Sequence, residues 1–256
     1  MCEPRFFTVA YKINPWMEPA MPTDTARAVA QWRALRAAYD RVGIAVRTIE
    51  PRPGLPDMVF TANGGFVIDG VGLGAKFAHA ERAPEARHFD AWLRSTGVDV
   101  AAPVAVNEGE GDFLLAGGAI LAGSGFRSTA ASHGEVAALF GKRVLSLTLV
   151  DPRFYHLDTC LAVLDDETLA YYPPAFDAAS VAALTSAFPR AFAVSEADAL
   201  CFGLNAFSDG RHVITAAAAT GFHAQLAARG FVPVGVDLGE LLLGGGGAKC
   251  CTLELR

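Results

Sequence analysis

Glu110-Gly111-Asp112-Phe113-Leu114-Leu115, followed by Gly117-Gly118 and Ile120-Leu121, decides the fold of this chain. A polar cluster opens an apolar strand, two glycines make a tight turn, and a second apolar strand returns. A helix from about Thr129 to Phe140 follows, stopped by Gly141, and then a strand from Val144 to Leu149. The same phrase recurs along the chain. One copy begins at Asn63-Gly64-Gly65, with Phe66-Val67-Ile68, the turn Asp69-Gly70, a helix from near Pro84 to Gly97, and Val98-Asp99-Val100. Proline at the start and glycine past the end are ordinary helix boundaries. Another begins at His156-Leu157-Asp158-Thr159, with strands Leu161 to Leu164 and Leu169 to Tyr172 and a helix Ala178 to Phe188, stopped by Pro189. A further copy has Asn205, Ala206-Phe207, the turn Ser208-Asp209-Gly210, strand His212 to Thr215, helix Ala217 to Arg229 and strand Phe231 to Val236.

A fifth copy is split across the termini. Cys250 to Leu255 supplies its first strand and Phe6 to Lys12 its second, followed by a helix Thr25 to Val42, Gly43 and a strand Ile44 to Ile49. The polar clusters are spaced about 49, 46, 47 and 45 residues apart, within the range of repeat architectures. The expected fold is therefore α/β: a five-bladed pseudo-symmetric α/β propeller, one domain over residues 1–256, its ring closed by pairing of the N- and C-terminal strands. The competing reading is a two-layer α/β domain in which the period is coincidence. In a ring, the five clusters meet at one mouth.

The chain has 21 Lys+Arg against 27 Asp+Glu and no basic run, which argues against a nucleic-acid partner and suits a cationic small substrate. No apolar run reaches the roughly 18 residues of a membrane span, and Met1-Cys2-Glu3-Pro4-Arg5 lacks the order of a signal peptide, so the expected location is the cytosol. The five cysteines show no paired spacing, which supports neither a disulfide framework nor a zinc ribbon. Oligomeric state is not legible.

The clusters carry chemistry. Gly244-Gly245-Gly246-Gly247-Ala248-Lys249-Cys250 delivers a cysteine from a glycine run onto a short apolar strand, which suits a nucleophile. The structural alternative is that Cys250 and Cys251 are a buried apolar pair. A thiol attacks as thiolate, and His156 is placed to protonate a leaving amine, with Glu110 fixing and polarising the imidazole. Asp57, Asp112 and Asp158 give a negative lining beside an apolar wall from Phe60, which fits a planar cation such as a guanidinium. Taken singly, His156 reads as a core histidine, Glu110 as a loop carboxylate and Asn63-Gly64 as a turn. Their convergence points to a site. Gly70-Val71-Gly72-Leu73-Gly74 opens no helix and Gly244 to Lys249 lacks the Gly-Lys-Ser/Thr ending, so neither makes a nucleotide loop.

Asp57-Met58-Val59-Phe60-Thr61-Ala62-Asn63, Glu110-Gly111-Asp112, His156-Leu157-Asp158-Thr159 and Gly246-Gly247-Ala248-Lys249-Cys250 together resemble the guanidino-group-modifying enzymes of the pentein superfamily, particularly dimethylargininases and arginine deiminases. The resemblance spans the whole chain. It implies that Cys250, not Cys251, attacks the guanidinium carbon, that His156 protonates the departing amine and then activates water, and that Glu110 supports the histidine and the substrate. No metal or organic cofactor is implied. Arg127 looks like the family arginine that holds the substrate α-carboxylate; Arg82 is either a second such arginine or a surface residue. Dimethylargininases tend to carry two carboxylates after the phenylalanine, where this chain has Ala62 and Asn63. That phrase is similar to arginine and succinylarginine dihydrolases, and Asn63 is able both to donate and to accept, as a neutral ureido group would require. Compactness and length look most like dimethylargininases. The expected activity is hydrolysis of an N-methylated arginine to citrulline plus methylamine or dimethylamine, with arginine dihydrolase or deiminase as the alternative. A non-catalytic propeller of the same shape would have no need of Cys250, His156 and Glu110 together.

Overall fold

The computed structural model describes residues Met1–Arg256. After helix α1 (Thr25–Arg41), four units of one design follow. In the first, β1 (Gly65–Ile68) turns back through Asp69 and Gly70, both at positive φ (53° and 78°), into antiparallel β2 (Val71–Gly74). Two successive left-handed residues match the twist of a two-residue hairpin, which is why an Asp-Gly pair stands there. Helix α2 (Ala86–Ser95) then crosses over to β3 (Asp99–Ala101), parallel to β2. A parallel return needs such a crossover, and α2 buries Phe89 and Leu93 on its inner face.

The second unit repeats this with β4 (Phe113–Ala116), β5 (Ala119–Ser124), α3 (Ala131–Phe140) and β6 (Val144–Thr148). Before the third, a single helical turn α4 (Leu157–Cys160) follows His156. The unit has β7 (Leu161–Val163), β8 (Leu169–Tyr171), α5 (Ala178–Ala187) and the short β9 (Phe192–Ala193), with α6 (Glu196–Leu200) after it. The fourth has β10 (Phe207–Ser208), β11 (His212–Ala216), α7 (Thr220–Ala228) and β12 (Val232–Val236), then α8 (Gly239–Leu242). In all four, the first pair is antiparallel and the second parallel.

The fifth unit departs from expectation. Phe6 to Lys12 and Cys250 to Leu255 form no strand and no ladder with each other, and Ile44 to Ile49 contributes only one isolated parallel bridge, Cys2 to Ile49. The cause is local: Cys251 and Thr252 donate their amides back to Gly247 and Lys249 (3.2 and 2.8 Å), which coils the segment into a turn. Packing joins the termini instead. Trp32, Leu35 and Tyr39 of α1 share one apolar cluster with Phe7, Val9, Cys250 and Cys251, and Tyr39 Oη lies 2.7 Å from Thr252 Oγ1.

The polar clusters do meet. Asn63 Nδ2 donates to Glu108 O (3.3 Å), Leu157 N to Asp112 Oδ1 (3.1 Å), Asn205 Nδ2 to Asp158 O (3.0 Å), Cys250 N to Asn205 Oδ1 (3.0 Å), and Ala62 N to Cys250 O (3.0 Å). These five bonds pass through all five turns and return to the first. No helix is long and apolar enough to cross a membrane.

Candidate active site

The glycine run that carries Cys250 lies flat on aromatic rings. A Cβ at Gly244 would come within 2.9 Å of Phe7 and 3.0 Å of Phe60, and one at Gly246 would overlap the Phe60 ring. Gly245 takes φ +83°, and its carbonyl accepts from Tyr155 Oη at 2.6 Å. Any side chain here would lift the turn off its floor. Phe60 is thus packed beneath the nucleophile's turn. Cys250 is 2% exposed. Its thiol donates to Asp158 Oδ2 (3.3 Å) and its sulfur accepts from Asn205 Nδ2 (3.0 Å). Burial, followed by the Asp158 charge, pushes this thiol well above its ordinary value. Cys251 turns into the apolar cluster and burial pushes it up too, with no polar partner for its sulfur.

His156 precedes α4 in extended conformation (φ −124°), which aims its ring back across the clusters. Its Nε2 lies 2.9 Å from Glu108 Oε2 and 3.9 Å from Asp112 Oδ2, while buried Nδ1 has no partner. Burial works to raise the Glu108 carboxyl, but Arg127, the bond from His156 and Arg82 outweigh it and hold it well below the usual carboxylate range. Asp158 is raised to about 6 by burial, and its Oδ1 is unpartnered. Asp112 is committed to structure: Ser128 Oγ (2.6 Å) and Leu157 N (3.1 Å) donate to it.

The expected contact between Glu110 and His156 is not made. Glu110 Oε2 instead holds Lys249 Nζ at 2.5 Å and accepts from Glu254 N at 3.0 Å. Gly109, at φ +55°, turns the backbone between the two glutamates, so Glu108 faces the histidine and Glu110 the opposite side. The sequence signal was present in Glu108-Gly109-Glu110, but two acids flanking a glycine do not reveal which side each takes. Asn205 was legible only as a polar start of a unit; its bonds to Cys250 were not.

Arg82 is no surface residue. At 3% exposed, it donates to both Glu85 oxygens (3.1 and 2.8 Å), to Asn63 Oδ1 (2.7 Å) and to Asp57 O (3.2 Å), with its guanidinium over the Phe77 ring. Four of its five N–H groups are taken, and the Asn63 amide is bonded at both its oxygen and its nitrogen. Asp57 accepts from Tyr11 Oη (2.9 Å), burial raises its carboxyl, and its Oδ1 is unpartnered. Arg127 donates to Glu108 (2.9 Å) and to Ile13 O (2.9 Å) and lies over the Tyr155 ring. The site is covered. Asn14 Nδ2 donates to Gly244 O (3.1 Å) and Trp16 Nε1 to Arg153 O (2.8 Å), which fastens Ile13-Asn14-Pro15-Trp16-Met17 across it. A separate cavity of about 510 Å3, lined by Tyr39, Phe89, Trp92 and Leu253, includes neither Cys250 nor His156.

No protein-family model matches the chain. It is 55% identical over 256 residues to the N(G),N(G)-dimethylarginine dimethylaminohydrolase of Mycobacterium tuberculosis, covering all of this chain and 85% of that protein. It is 40% identical over 262 residues to the bifunctional arginine dihydrolase/ornithine cyclodeaminase ArgZ of Synechocystis, of which it spans 37%. Among solved structures, the substrate-bound N-terminal domain of ArgZ superposes with a TM-score of 0.96 at 39% identity, covering 99% of this chain and 96% of that one. DDAH from Pseudomonas aeruginosa, complexed with citrulline, shares the fold at a TM-score of 0.84 and 18% identity, covering 98% and 96%. The four repeated mixed sheets, the turns that meet at Cys250 and this full-length identity place the chain in the dimethylarginine dimethylaminohydrolase family, of the pentein fold and among the hydrolases of C–N bonds.

Proposed function

We propose that this protein hydrolyses asymmetric dimethylarginine to citrulline and dimethylamine through a covalent intermediate on Cys250. The observation that carries the reading is the arrangement at the thiol: Asp158 accepts from Cys250 Sγ with one oxygen and keeps Oδ1 open, beside His156 whose Nδ1 is also open. An unpaired buried carboxylate oxygen is costly unless a donor meets it, and a guanidinium N–H is a charge-assisted donor for it. Asp57 Oδ1 offers a second such acceptor.

Bound cation lowers the cost of forming thiolate against Asp158. Cys250 Sγ gives its proton to His156 and attacks the guanidinium carbon, and the C–N bond to dimethylamine breaks as the imidazolium returns that proton to the departing nitrogen. Water adds to the thiouronium carbon, His156 takes its proton, and the C–S bond breaks to release citrulline and restore the thiol. Glu108, held ionised, orients the imidazole throughout. Arg127 takes the substrate carboxylate once the lid lifts Ile13 O away from it. The test is product analysis by mass spectrometry after separate incubation with asymmetric dimethylarginine and with arginine, with Cys250→Ser as blank. Citrulline and dimethylamine from the methylated substrate alone support the reading; an inert protein refutes it.

A second reading, arginine dihydrolase, is favoured by the 40% identity to ArgZ and by Asn63 where family members carry an acid. Asn63 is held by Arg82 at Oδ1 and by Glu108 O at one Nδ2 hydrogen, which leaves its second Nδ2 hydrogen as a donor for a ureido oxygen. Ornithine from arginine in the same incubation would establish it.

A further inference from the structure

We propose that Asn205 is a catalytic residue whose side-chain amide holds the Cys250 sulfur as thiolate. This deepens the covalent reading above and rests on it. Asn205 opens the fourth unit, and its position follows from a tight series of bonds. Phe202, at φ +59°, accepts Asn205 N (3.1 Å), and Asn205 O accepts Lys249 N (3.2 Å). The side chain is wholly buried and every one of its named contacts is to the nucleophile's turn or to Asp158. Oδ1 accepts Cys250 N at 3.0 Å, and Nδ2 divides its two hydrogens between Asp158 O and Cys250 Sγ, both at 3.0 Å. Gly247 has no side chain because Asn205 stands there: a Cβ would lie 2.9 Å from Oδ1.

The bond to sulfur has a clear electrostatic direction. An amide N–H donates to a thiolate far more strongly than to a neutral thiol, so Nδ2 stabilises the charge that develops when the proton leaves. Among the residues bonded to the sulfur, Asp158 works in the opposite sense, because its charge opposes a second anion. Asn205 is a neutral side-chain donor that offsets it beside the Gly247 backbone, and its orientation is fixed before substrate arrives by its bonds to Cys250 N and Asp158 O. Preorganised donors of this kind cost no reorganisation at the reacting moment.

Asn205→Asp keeps the shape and the acceptor for Cys250 N and removes the donor; Asn205→Ser removes it without adding charge. The readout is the pH dependence of iodoacetamide alkylation at Cys250, followed by peptide mass spectrometry, with steady-state turnover alongside. In both variants the inflection moves to higher pH by about one pH unit, kcat/KM falls by about ten- to hundredfold, and KM changes little. A folded variant whose alkylation profile coincides with the parent's overturns the proposal. Failure of both variants to unfold cooperatively overturns it too, since it would make the bonds to Cys250 N and Asp158 O, rather than the bond to sulfur, the role of the side chain. Alkylation requires no substrate, so a parent that leaves dimethylarginine untouched yet shows the shift would sink the substrate reading and keep this one.

Discussion

Glu108 and Glu110, separated by one glycine at positive φ, project to opposite sides of their turn: Glu108 to His156 at 2.9 Å, Glu110 to Lys249 at 2.5 Å. On the proposed mechanism one carboxylate serves the reaction, while the other braces the turn that carries Cys250, because Lys249 is that cysteine's neighbour. Glu108→Gln should therefore lower kcat by about 100- to 1000-fold, the scale expected when a general acid–base group loses its orienting partner, and should also cost stability because buried Arg127 loses its carboxylate. Glu110→Ala should leave kcat nearer the parent's and destabilise the fold by about 1 to 3 kcal/mol in urea titrations, since buried Lys249 then keeps only Glu254, at 3.2 Å, as its carboxylate. Equal kinetic losses in the two variants would contradict this division of roles.

Asp158 should make the fold sensitive to pH. Its folded carboxyl is raised to about 6 by burial, against an ordinary value of 3.8. Such a group favours the folded state below pH 4, and that contribution is lost as pH rises through 6. Asp158→Asn, which stays neutral, should match the parent below pH 4 and exceed it by about 3 kcal/mol above pH 7. Turnover should be lost in the same variant. Thermal melts across pH 3.5 to 8 check both ends, and a variant less stable than the parent at neutral pH would refute it.

The two adjacent cysteines should separate cleanly. Cys250→Ala removes the nucleophile and abolishes turnover, whereas Cys251→Ala, in the apolar cluster, leaves turnover within about threefold and costs about 1 kcal/mol of packing. An inactive Cys251 variant beside an active Cys250 variant would reverse the assignment.

Opening of the lid should limit access. Trp16 is fastened by its Nε1 bond to Arg153 O and by an edge-to-face contact with Phe202 at 5.0 Å between ring centroids. Trp16→Ala should raise KM by about three- to tenfold more than it lowers kcat, as measured by initial rates. A change in kcat alone would place the residue elsewhere in the cycle.

The repeat was legible because each unit states its own local chemistry: Asp69-Gly70 and Gly117-Gly118 demand hairpins, and the helix stops follow at fixed distances. Cys250, His156 and Asp158 were legible as convergent for the same reason. What escaped was direction. A glycine between Glu108 and Glu110 sends them apart, and only the fold shows which way. Arg82 and Asn63 look free in sequence but are bonded to each other and to Glu85, Asp57 and Glu108. The Cys250 segment, apolar and short, reads as a strand; its amides bond backward and make it a turn.

The covalent claim is tested most directly by intact-protein mass spectrometry after rapid acid quench of the enzyme turning over asymmetric dimethylarginine. The predicted result is a single adduct equal to the substrate less dimethylamine, borne on the peptide containing Cys250 and absent from Cys250→Ser. Citrulline formation with no adduct at any quench time, or an adduct that maps to Cys251, would contradict it.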